Sequence, residues 1–278
     1  MSYYKKFIVK PGAKVRLKDI DPGFRDGYKA EEDVQAALAK NLEKLASLQE
    51  LLYAEHKCSM LLCLQAMDAG GKDGVIRHVF TAFNPQGCRV ASFKQPTAPE
   101  RDHDFLWRAH RDVPAKGEVV VFNRSHYEDV LVVRVHDLKP KAVWKKHYDQ
   151  INDFEANLAA NGTHILKFFL HISKDEQMQR FKDRLDTPSK NWKISEADYT
   201  EREKWGAYRA AFEEALEKCS TDAAPWFVIP ANHKWFRNYA ISQIMVDYME
   251  GLKMKFPPPS VDADEIRKKY FSKKKKKG

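Results

Sequence analysis

Five short runs of apolar residues alternate with longer segments of helical periodicity along this chain. A short continuous apolar run is typical of a strand that is buried on both faces of a sheet. The runs occupy residues 58–67, 89–93, 118–122, 164–171 and 226–229. The helical segments occupy residues 30–56, 72–83, 100–111, 140–160, 174–186 and 234–254. Strand and helix in this order predict an α/β fold, a doubly wound parallel sheet with helices on both faces.

The interval between the fourth and fifth apolar runs breaks this alternation. It holds two helical stretches joined by residues 186–193, and Pro188 cannot continue a helix across that joint. Ser195 and Asp198 resemble the ends of a capping box, with Asp in place of the usual Glu or Gln. We therefore expect an inserted helical hairpin over one end of the sheet, with a lid over residues 178–215.

Shifts in composition mark both ends of the packed domain. Residues 1–30 are polar and basic, with Gly and Pro as breakers, and are expected to form an extended N-terminal arm. The domain is expected to span residues 31–255. A tail rich in Pro and Lys follows at 256–278.

The overall composition excludes several classes of protein. Apolar residues make up 43% of the 278 residues, which is enough to bury a core and excludes a disordered chain. No apolar run reaches the roughly 18 residues of a membrane span. Four scattered cysteines indicate a reducing, cytoplasmic compartment. The net charge is +9, and five positive charges lie in Lys273–Lys277, which indicates either a solvated tail or a patch for a polyanion such as RNA or polyphosphate.

A glycine-rich segment follows the first apolar run and opens the next helix. It reads Gln-Ala-Met-Asp-Ala-Gly-Gly-Lys-Asp-Gly from Gln65 to Gly74, which is the setting of a phosphate-binding loop. The glycines let backbone N–H groups approach a phosphate chain, the helix N-terminus adds its positive end, and Lys72 adds a point charge. Asp68 inside the loop indicates that a metal ion or a proton is handled there. The alternative is a glycine-rich turn with a surface lysine.

Polar residues also follow the third apolar run, from Asn123 to Asp129. Because ligands bind beyond the carboxyl ends of parallel strands, we expect these side chains to face the phosphate loop. Arg124 is a candidate for neutralising charge on a transferred phosphoryl group, and Glu128 for holding metal-bound water or a substrate hydroxyl. The alternative is a polar helix start that Ser125 caps.

Two arginines in the expected lid lie on one helix face. Arg180 and Arg184 are four residues apart, which places them one turn from each other. Guanidinium groups fit phosphate oxygens through paired hydrogen bonds, so this face predicts a phosphate clamp. The alternative is a solvated face whose arginines pair with Asp183 and Asp186.

Several longer motifs, taken together, resemble the polyphosphate kinase 2 family. The resembling segments lie at 84–88, 103–108, 122–129, 180–184, 188–193 and 229–235, and they occur in order within residues 30–255. The resemblance implies a P-loop kinase fold that moves the terminal phosphoryl group of inorganic polyphosphate onto a nucleotide. It also implies that the reaction is reversible and depends on Mg²⁺, which Mn²⁺ can replace.

The resemblance further assigns roles to individual residues. The catalytic residues would be Asp68, Lys72, Arg124, Glu128, Arg180 and Arg184, with Asp68 as the metal ligand. The residues that bind phosphate or nucleotide would be Ala69, Gly70, Gly71, Asp73, Gly74, Asn123, Lys190 and Lys193. The pairing of Asn123 with Glu128 resembles the subgroup that accepts nucleoside monophosphates as well as diphosphates. AMP and ADP are therefore the expected acceptors, guanine nucleotides are further candidates, and a homo-oligomer (dimer or tetramer) is expected.

Two other functions compete with this one. An ATP-dependent P-loop kinase for a nucleotide or small molecule would share the loop and the lid, but it would need a pocket for the donor base. A nucleic-acid-binding protein would use the positive tail, yet the chain has no zinc finger, RNA-recognition signature or Gly-x-x-Gly clamp. We therefore expect no specific nucleic-acid partner and no association with membranes.

Overall fold

A parallel five-stranded sheet forms the centre of the computed structural model, which describes residues 2–271. The strands are β1 (Ser59–Ala66), β2 (Cys88–Ser92), β3 (Val119–Asn123), β4 (Thr163–His171) and β5 (Trp226–Pro230). Their order across the sheet is β2-β3-β1-β4-β5, and every neighbouring pair is parallel. The α/β fold predicted from the apolar runs is confirmed.

Helices connect the strands and cover both faces of the sheet. They are α1 (Tyr3–Phe7), α2 (Glu32–Glu55), α3 (Lys72–His78), α4 (Ala98–Arg101), α5 (Trp107–Arg111), α6 (Val132–Val135), α7 (Lys141–Ala160), α8 (Lys174–Leu185), α9 (Glu196–Glu203), α10 (Trp205–Cys219), α11 (Lys234–Gly251) and α12 (Ala263–Ile266). Successive residues of a strand point to opposite faces. Accordingly, Leu62 and Leu64 belong to one apolar cluster, and Leu61 and Cys63 to another.

The N-terminal segment is packed against the domain, in place of the extended arm that its composition predicted. It begins with α1, and its apolar residues Tyr3, Val9 and Leu17 are buried. The Val9 N–H donates to the carbonyl of Trp226 at 2.8 Å, beside an antiparallel bridge from Ile8 to Phe227. The segment therefore covers the free edge of β5, which would otherwise expose unpaired backbone groups.

The segment between β4 and β5 is helical, as expected, but it differs in detail from the predicted hairpin. It contains α8, a 3₁₀ turn at Pro188–Lys193, α9 and α10. Ser195 Oγ accepts the N–H of Ala197 at 3.2 Å, so the serine caps α9. The expected capping box is not formed, because the Asp198 carboxylate accepts a hydrogen bond from Arg184 at 2.8 Å instead.

Two further helical predictions need correction. The expected helix over 100–111 is broken into α4 and α5, with Asp104 capping the Leu106 N–H at 2.9 Å between them. The helix expected over 72–83 ends at His78 and continues as a 3₁₀ turn. Within residues 2–271, no helix is long and apolar enough to cross a membrane. The Lys273–Lys277 run lies outside the described residues.

Candidate active site

The carboxyl ends of β1 and β3 bring the predicted site residues together. The parallel register places Leu64 beside Asn123, so the loops that leave the two strands start side by side. The first loop carries Asp68 and Lys72, and the second carries Arg124 and Glu128. The two loops therefore face each other as expected, since parallel strands direct their carboxyl ends to one edge of the sheet.

The phosphate loop turns sharply between β1 and α3. The Gly70 N–H donates to the Met67 carbonyl at 2.9 Å, which closes a tight turn. Ala69 and Gly71 both have positive φ, 59° and 102°, and the latter suits a residue without a Cβ atom. Lys72 then begins α3 and is half-buried. Burial lowers the pKa of Lys72 and the charge of Arg124 adds to this shift, whereas three nearby carboxylates oppose it.

Two buried arginines lie directly behind this loop. Arg180 donates from Nη1 to the Ala69 carbonyl at 2.9 Å, and its other guanidinium contacts include the carbonyls of the loop after β5. Arg237, which sequence reasoning missed, is only 2% exposed, and its guanidinium would collide with a Cβ atom on Gly71 or Gly74. Burial, with the charge of Arg180, lowers the pKa of Arg237 to about 9. The glycines thus allow an arginine to approach the loop from behind.

Arg124 lies between the two carboxylates of the cleft. Its backbone has φ = 61°, and its N–H donates to the Leu64 carbonyl at 3.1 Å. Its guanidinium donates to Asp68 Oδ1 at 3.3 Å and lies 3.9 Å from Glu128 Oε2. Gln65, at the end of β1, donates to Glu128 Oε1 at 3.1 Å. Burial raises the pKa of Glu128, although the charge of Arg124 and the hydrogen bond from Gln65 oppose this shift.

Asn123 and Lys193, both expected to bind phosphate or nucleotide, donate to the Asp73 carboxylate in this structure. Asn123 Nδ2 donates to Asp73 Oδ1 at 3.0 Å, and Lys193 Nζ donates to Oδ2 at 3.1 Å. Burial alone would raise the pKa of Asp73, but these two hydrogen bonds outweigh it and lower the pKa. The 3₁₀ turn at Pro188–Lys193 is therefore attached to the start of α3.

The two lid arginines occupy different places, although they share a helix. Arg180 is buried against the back of the phosphate loop. Arg184 is part-buried, donates to Asp198 at 2.8 Å and lies over the ring of Phe181. Lys190 is exposed on the 3₁₀ turn. In this structure Asp198, and not Arg184 itself, reaches the cleft between lid and sheet.

The phosphate loop separates two cavities, which we call the front and rear cavities. The front cavity has a volume of about 280 Å³. Its apolar wall consists of Leu131, Val132, Trp205, Tyr208 and Phe212, and its polar groups include Asp68, Arg124, Glu128, His136, Asp198, Glu201 and Arg202. The rear cavity has a volume of about 530 Å³, and the residues that line it include Gly71, Gly74, His78, Arg180, His233, Lys234, Trp235 and Arg237. The front cavity therefore combines an apolar wall with an excess of carboxylates over arginines. In the rear cavity the cations outnumber the two carboxylates, Glu31 and Glu176.

The front cavity suits a Mg²⁺ ion that arrives with phosphate. Among residues 2–271, no three His, Cys, Asp or Glu side chains converge as they would around a metal ion. Mg²⁺ is commonly bound through one or two carboxylates together with substrate phosphates. Asp68 and Glu128 are carboxylates of this kind, on either side of Arg124. The residues present therefore fit a metal whose remaining ligands come from the substrate and from water.

Comparison with known proteins decides the family. The sequence model of the family described as Polyphosphate kinase 2 matches residues 28–257. The chain belongs to the polyphosphate kinase 2 family. It is 53% identical to the AMP/ADP-polyphosphate phosphotransferase of Meiothermus ruber over 266 residues, which cover 94% of this chain and 98% of that protein. It is 48% identical to the ADP-polyphosphate phosphotransferase of Rhodopseudomonas palustris, with 91% of this chain and 92% of that protein covered.

A solved structure of the family agrees with the fold. The crystal structure of polyphosphate kinase 2 from Arthrobacter aurescens TC1 superposes with a TM-score of 0.92 at 44% identity, and the match covers 96% of each chain. The resemblance inferred from the motifs is thereby confirmed. Polyphosphate kinase 2 proteins are phosphotransferases, so this chain is an enzyme.

Sequence reasoning missed three residues of the candidate site for different reasons. Gln65 was assigned only to the start of the phosphate loop and Asp198 only to a capping box, whereas the helix of Arg237 contributed no candidate. Gln65 lies one residue before the end of a buried strand, and Arg237 is a buried cation on a helix that has both apolar and polar residues. A charged residue at a buried helical position was the available sign for Arg237, because such residues are rarely buried without a partner.

Proposed function

We propose that this enzyme transfers the terminal phosphoryl group of inorganic polyphosphate to AMP and ADP, forming ADP and ATP reversibly with Mg²⁺. The observation that carries the proposal is the contrast between the two cavities that meet at the phosphate loop. A long anion suits the basic rear cavity, and a nucleoside suits the apolar wall of the front cavity. The relative from Meiothermus ruber is an AMP/ADP-polyphosphate phosphotransferase and that from Rhodopseudomonas palustris an ADP-polyphosphate phosphotransferase, which supports polyphosphate and adenine nucleotides as substrates.

The rear cavity favours polyphosphate over ATP as the donor. Arg237 lacks a carboxylate partner among the described residues, and no hydrogen bond from its Nη1 is seen within residues 2–271. Lys234 and Arg180 add two further cations at the same cavity, of which Arg180 is paired with Glu176 at 2.7 Å. A chain of phosphates compensates several cations at once, whereas an adenine base compensates none of them.

The front cavity favours a nucleotide as the acceptor. Trp205 and Phe212 offer aromatic surface against which a base packs, and Leu131 extends this apolar wall. The same cavity also contains Asp68, which belongs to the phosphate loop, and Arg124. An acceptor that enters base first would therefore leave its phosphate beside the phosphate loop.

The residues between the cavities supply the electrostatics of the transfer. The acceptor phosphate oxygen forms the new P–O bond, and the shortened polyphosphate leaves with the electrons of the broken P–O bond. Lys72 and the N-terminus of α3 stabilise negative charge on the transferred group, and Arg124 neutralises charge on its acceptor side. When bound, Mg²⁺ neutralises phosphate oxygens; Asp68 and Glu128 would hold it, and Mn²⁺ would replace it. Arg184 would close on the donor if the lid moved inward.

The proposal also covers the acceptor nucleotides, the cellular compartment and the oligomeric state of the enzyme. We propose that guanine nucleotides also serve as acceptors, because the aromatic surfaces of Trp205 and Phe212 pack against any purine base. We further propose a cytoplasmic enzyme that works as a homo-oligomer, a dimer or a tetramer. Competition between AMP and GMP, and light scattering of the purified protein, test these two statements.

A single assay tests the central proposal. Purified protein is incubated with Mg²⁺ and AMP, and either polyphosphate or ATP is added as donor. We expect ADP to form with polyphosphate and the reaction to stop when EDTA removes the metal. The matched control is Lys72→Ala, which removes the loop cation from a half-buried position. If ADP formed from AMP with ATP as the donor but not with polyphosphate, the result would favour the ATP-dependent kinase instead.

A further inference from the structure

The turn that carries Arg124 and Glu128 has a second side, which faces the protein interior. Ser125, His126 and Tyr127 lie between these two cleft residues, and all three side chains are fully buried. Ser125 Oγ accepts the Tyr127 N–H at 3.3 Å and a hydrogen bond from Gln65 at 3.2 Å. Arg124 and Glu128 are thus positioned by a turn whose conformation depends on contacts that its buried side chains make with the protein interior.

A buried ion pair holds the interior side of this turn. Glu155 Oε1 accepts the Tyr127 hydroxyl at 3.0 Å and lies 3.2 Å from His126 Nε2. Lys167 donates to Glu155 Oε2, to the Tyr127 hydroxyl at 2.8 Å and to the Cys219 carbonyl at 2.6 Å. Both charged groups are at most 1% exposed. Although burial alone would raise the pKa of Glu155, the charge of Lys167 outweighs this effect and lowers it.

Stability alone does not account for an ion pair at this depth. Lys167 lies within the sheet, paired with Cys63 on β1 and Trp226 on β5, and its ammonium group lies 5.3 Å from the Trp226 ring. Transferring two charges out of water costs a substantial desolvation free energy for each ion. Replacing a buried ion pair by well-packed apolar residues therefore often leaves a protein equally stable or more stable. What an apolar pair does not provide is directed hydrogen bonds, which fix His126 and Tyr127 in one orientation.

We propose that His126, Tyr127, Glu155 and Lys167 form a positioning cluster, which fixes the turn and thereby sets where Arg124 and Glu128 stand during phosphoryl transfer. The proposal rests on the proposed function for the reaction itself. The positive φ of Arg124 supports it, because a non-glycine residue keeps that conformation only when its surroundings enforce it. The cluster touches neither cavity, so its members act through the turn and not on the substrate.

Two variants test the cluster while keeping the fold. Glu155→Leu combined with Lys167→Met removes both charges together, so neither is left buried without a partner. Tyr127→Phe keeps the packed ring and removes only the bridging hydroxyl. A misplacement of about 1 Å costs roughly 10²-fold in rate, so we expect kcat to fall about 10- to 100-fold in the double variant and several-fold in Tyr127→Phe. The KM for polyphosphate should stay within about twofold, because the rear cavity does not contact this turn.

A cycle with Glu128→Gln separates positioning from a purely structural role. If the cluster acts through the turn, Glu128→Gln should lower kcat much less in the double variant than in the wild-type chain. Ile244→Val serves as control, because it thins the core on α11, far along the chain from the turn, and should lower the melting temperature without lowering kcat.

The outcomes are decisive in each case. Wild-type kcat in Tyr127→Phe and in the double variant, or additive losses in the cycle, would overturn the proposal. If the double variant does not fold, the kcat of Tyr127→Phe decides alone. The wild-type chain is assayed first: failure to use polyphosphate contradicts the proposed function only, and the variants are then compared with the donor that the wild-type chain does use.

Discussion

Glu128→Gln should stabilise the protein at neutral pH while damaging the reaction. The Glu128 side chain is only 14% exposed, and burial raises its pKa despite the opposing contacts from Arg124 and Gln65. Above the raised pKa the native state must hold a buried carboxylate that the unfolded chain would expose to water. Each unit of elevation then costs about 1.4 kcal/mol, and glutamine, which has the same shape and no charge, avoids this cost.

The sign of the pH dependence follows from the direction of the shift. Below the ordinary pKa of glutamate both states are protonated, so Glu128 has no titration effect on stability there. As the pH rises from that value through the raised pKa, the wild-type chain loses stability relative to Glu128→Gln, and the difference then stays constant. A difference of 1 kcal/mol corresponds to about 2–4 °C in melting temperature for a domain of roughly this size.

Thermal denaturation of both proteins between pH 4 and pH 8 measures this difference. The matched control is Glu50→Gln on α2, which makes the same substitution at an exposed position. If Glu128→Gln were the less stable protein at pH 8, the contacts of Glu128 with Arg124 and Gln65 would outweigh the effect of burial and the reasoning would be wrong.

In activity assays, Glu128→Asn should reduce the phosphorylation of AMP more than that of ADP. Equal losses with both acceptors would contradict a role of Glu128 in acceptor choice.

Three further substitutions test other contacts of the site. Arg184→Lys keeps the charge but loses the planar fork, so we expect a strong loss of kcat with little change in the KM for polyphosphate; the opposite pattern would mean that Arg184 only attracts the donor. Asp68→Asn should shift the Mg²⁺ titration of activity to higher concentrations, because an amide is a weaker ligand than a carboxylate, and an unchanged titration would contradict this role. Gly71→Ala should lower the melting temperature by several degrees, since a residue with a Cβ atom at φ = 102° is strained and would also collide with Arg237. Calorimetry that finds Gly71→Ala as stable as wild type would show that the loop has another conformation.

The fold was predictable because four of the strands, β1, β3, β4 and β5, are buried along almost their whole length, whereas the edge strand β2 is largely exposed. The residues of β1 are all buried, so its sequence contains no alternation and reads as one apolar run. The N-terminal segment was not predictable in the same way. Its buried residues Tyr3, Val9 and Leu17 are scattered among exposed lysines and glycines, and only the edge of β5 determines which of them are covered.

The site was predictable where backbone position alone decides it. Asp68, Lys72, Arg124 and Glu128 lie at strand ends, and the parallel sheet brings strand ends together. Side-chain partners in the lid were not predictable from spacing. Arg180 is four residues from Arg184 on α8, yet the first bonds to the back of the phosphate loop. Helical spacing predicts that two residues share a helix face, but it does not predict how deeply each side chain is buried or which groups it contacts.

We expect Arg237 to make the stability of the protein depend on a bound anion. Its guanidinium is buried beside that of Arg180, and within residues 2–271 its only hydrogen-bond acceptor is the Asn238 side chain. A phosphate chain in the rear cavity would relieve this repulsion, so binding free energy and stability are linked. A ligand at 100 times its Kd stabilises a protein by about 2.7 kcal/mol.

We therefore expect polyphosphate without acceptor to raise the melting temperature by several degrees, and Arg237→Met to reduce that increase sharply. Lys44→Met, which removes an exposed cation on α2, should leave it unchanged. Because the unliganded repulsion is also removed, Arg237→Met should lose less stability without polyphosphate than with it. An equal increase in both proteins would mean that the polyanion bypasses the rear cavity, and Arg237 would then only shape the loop from behind.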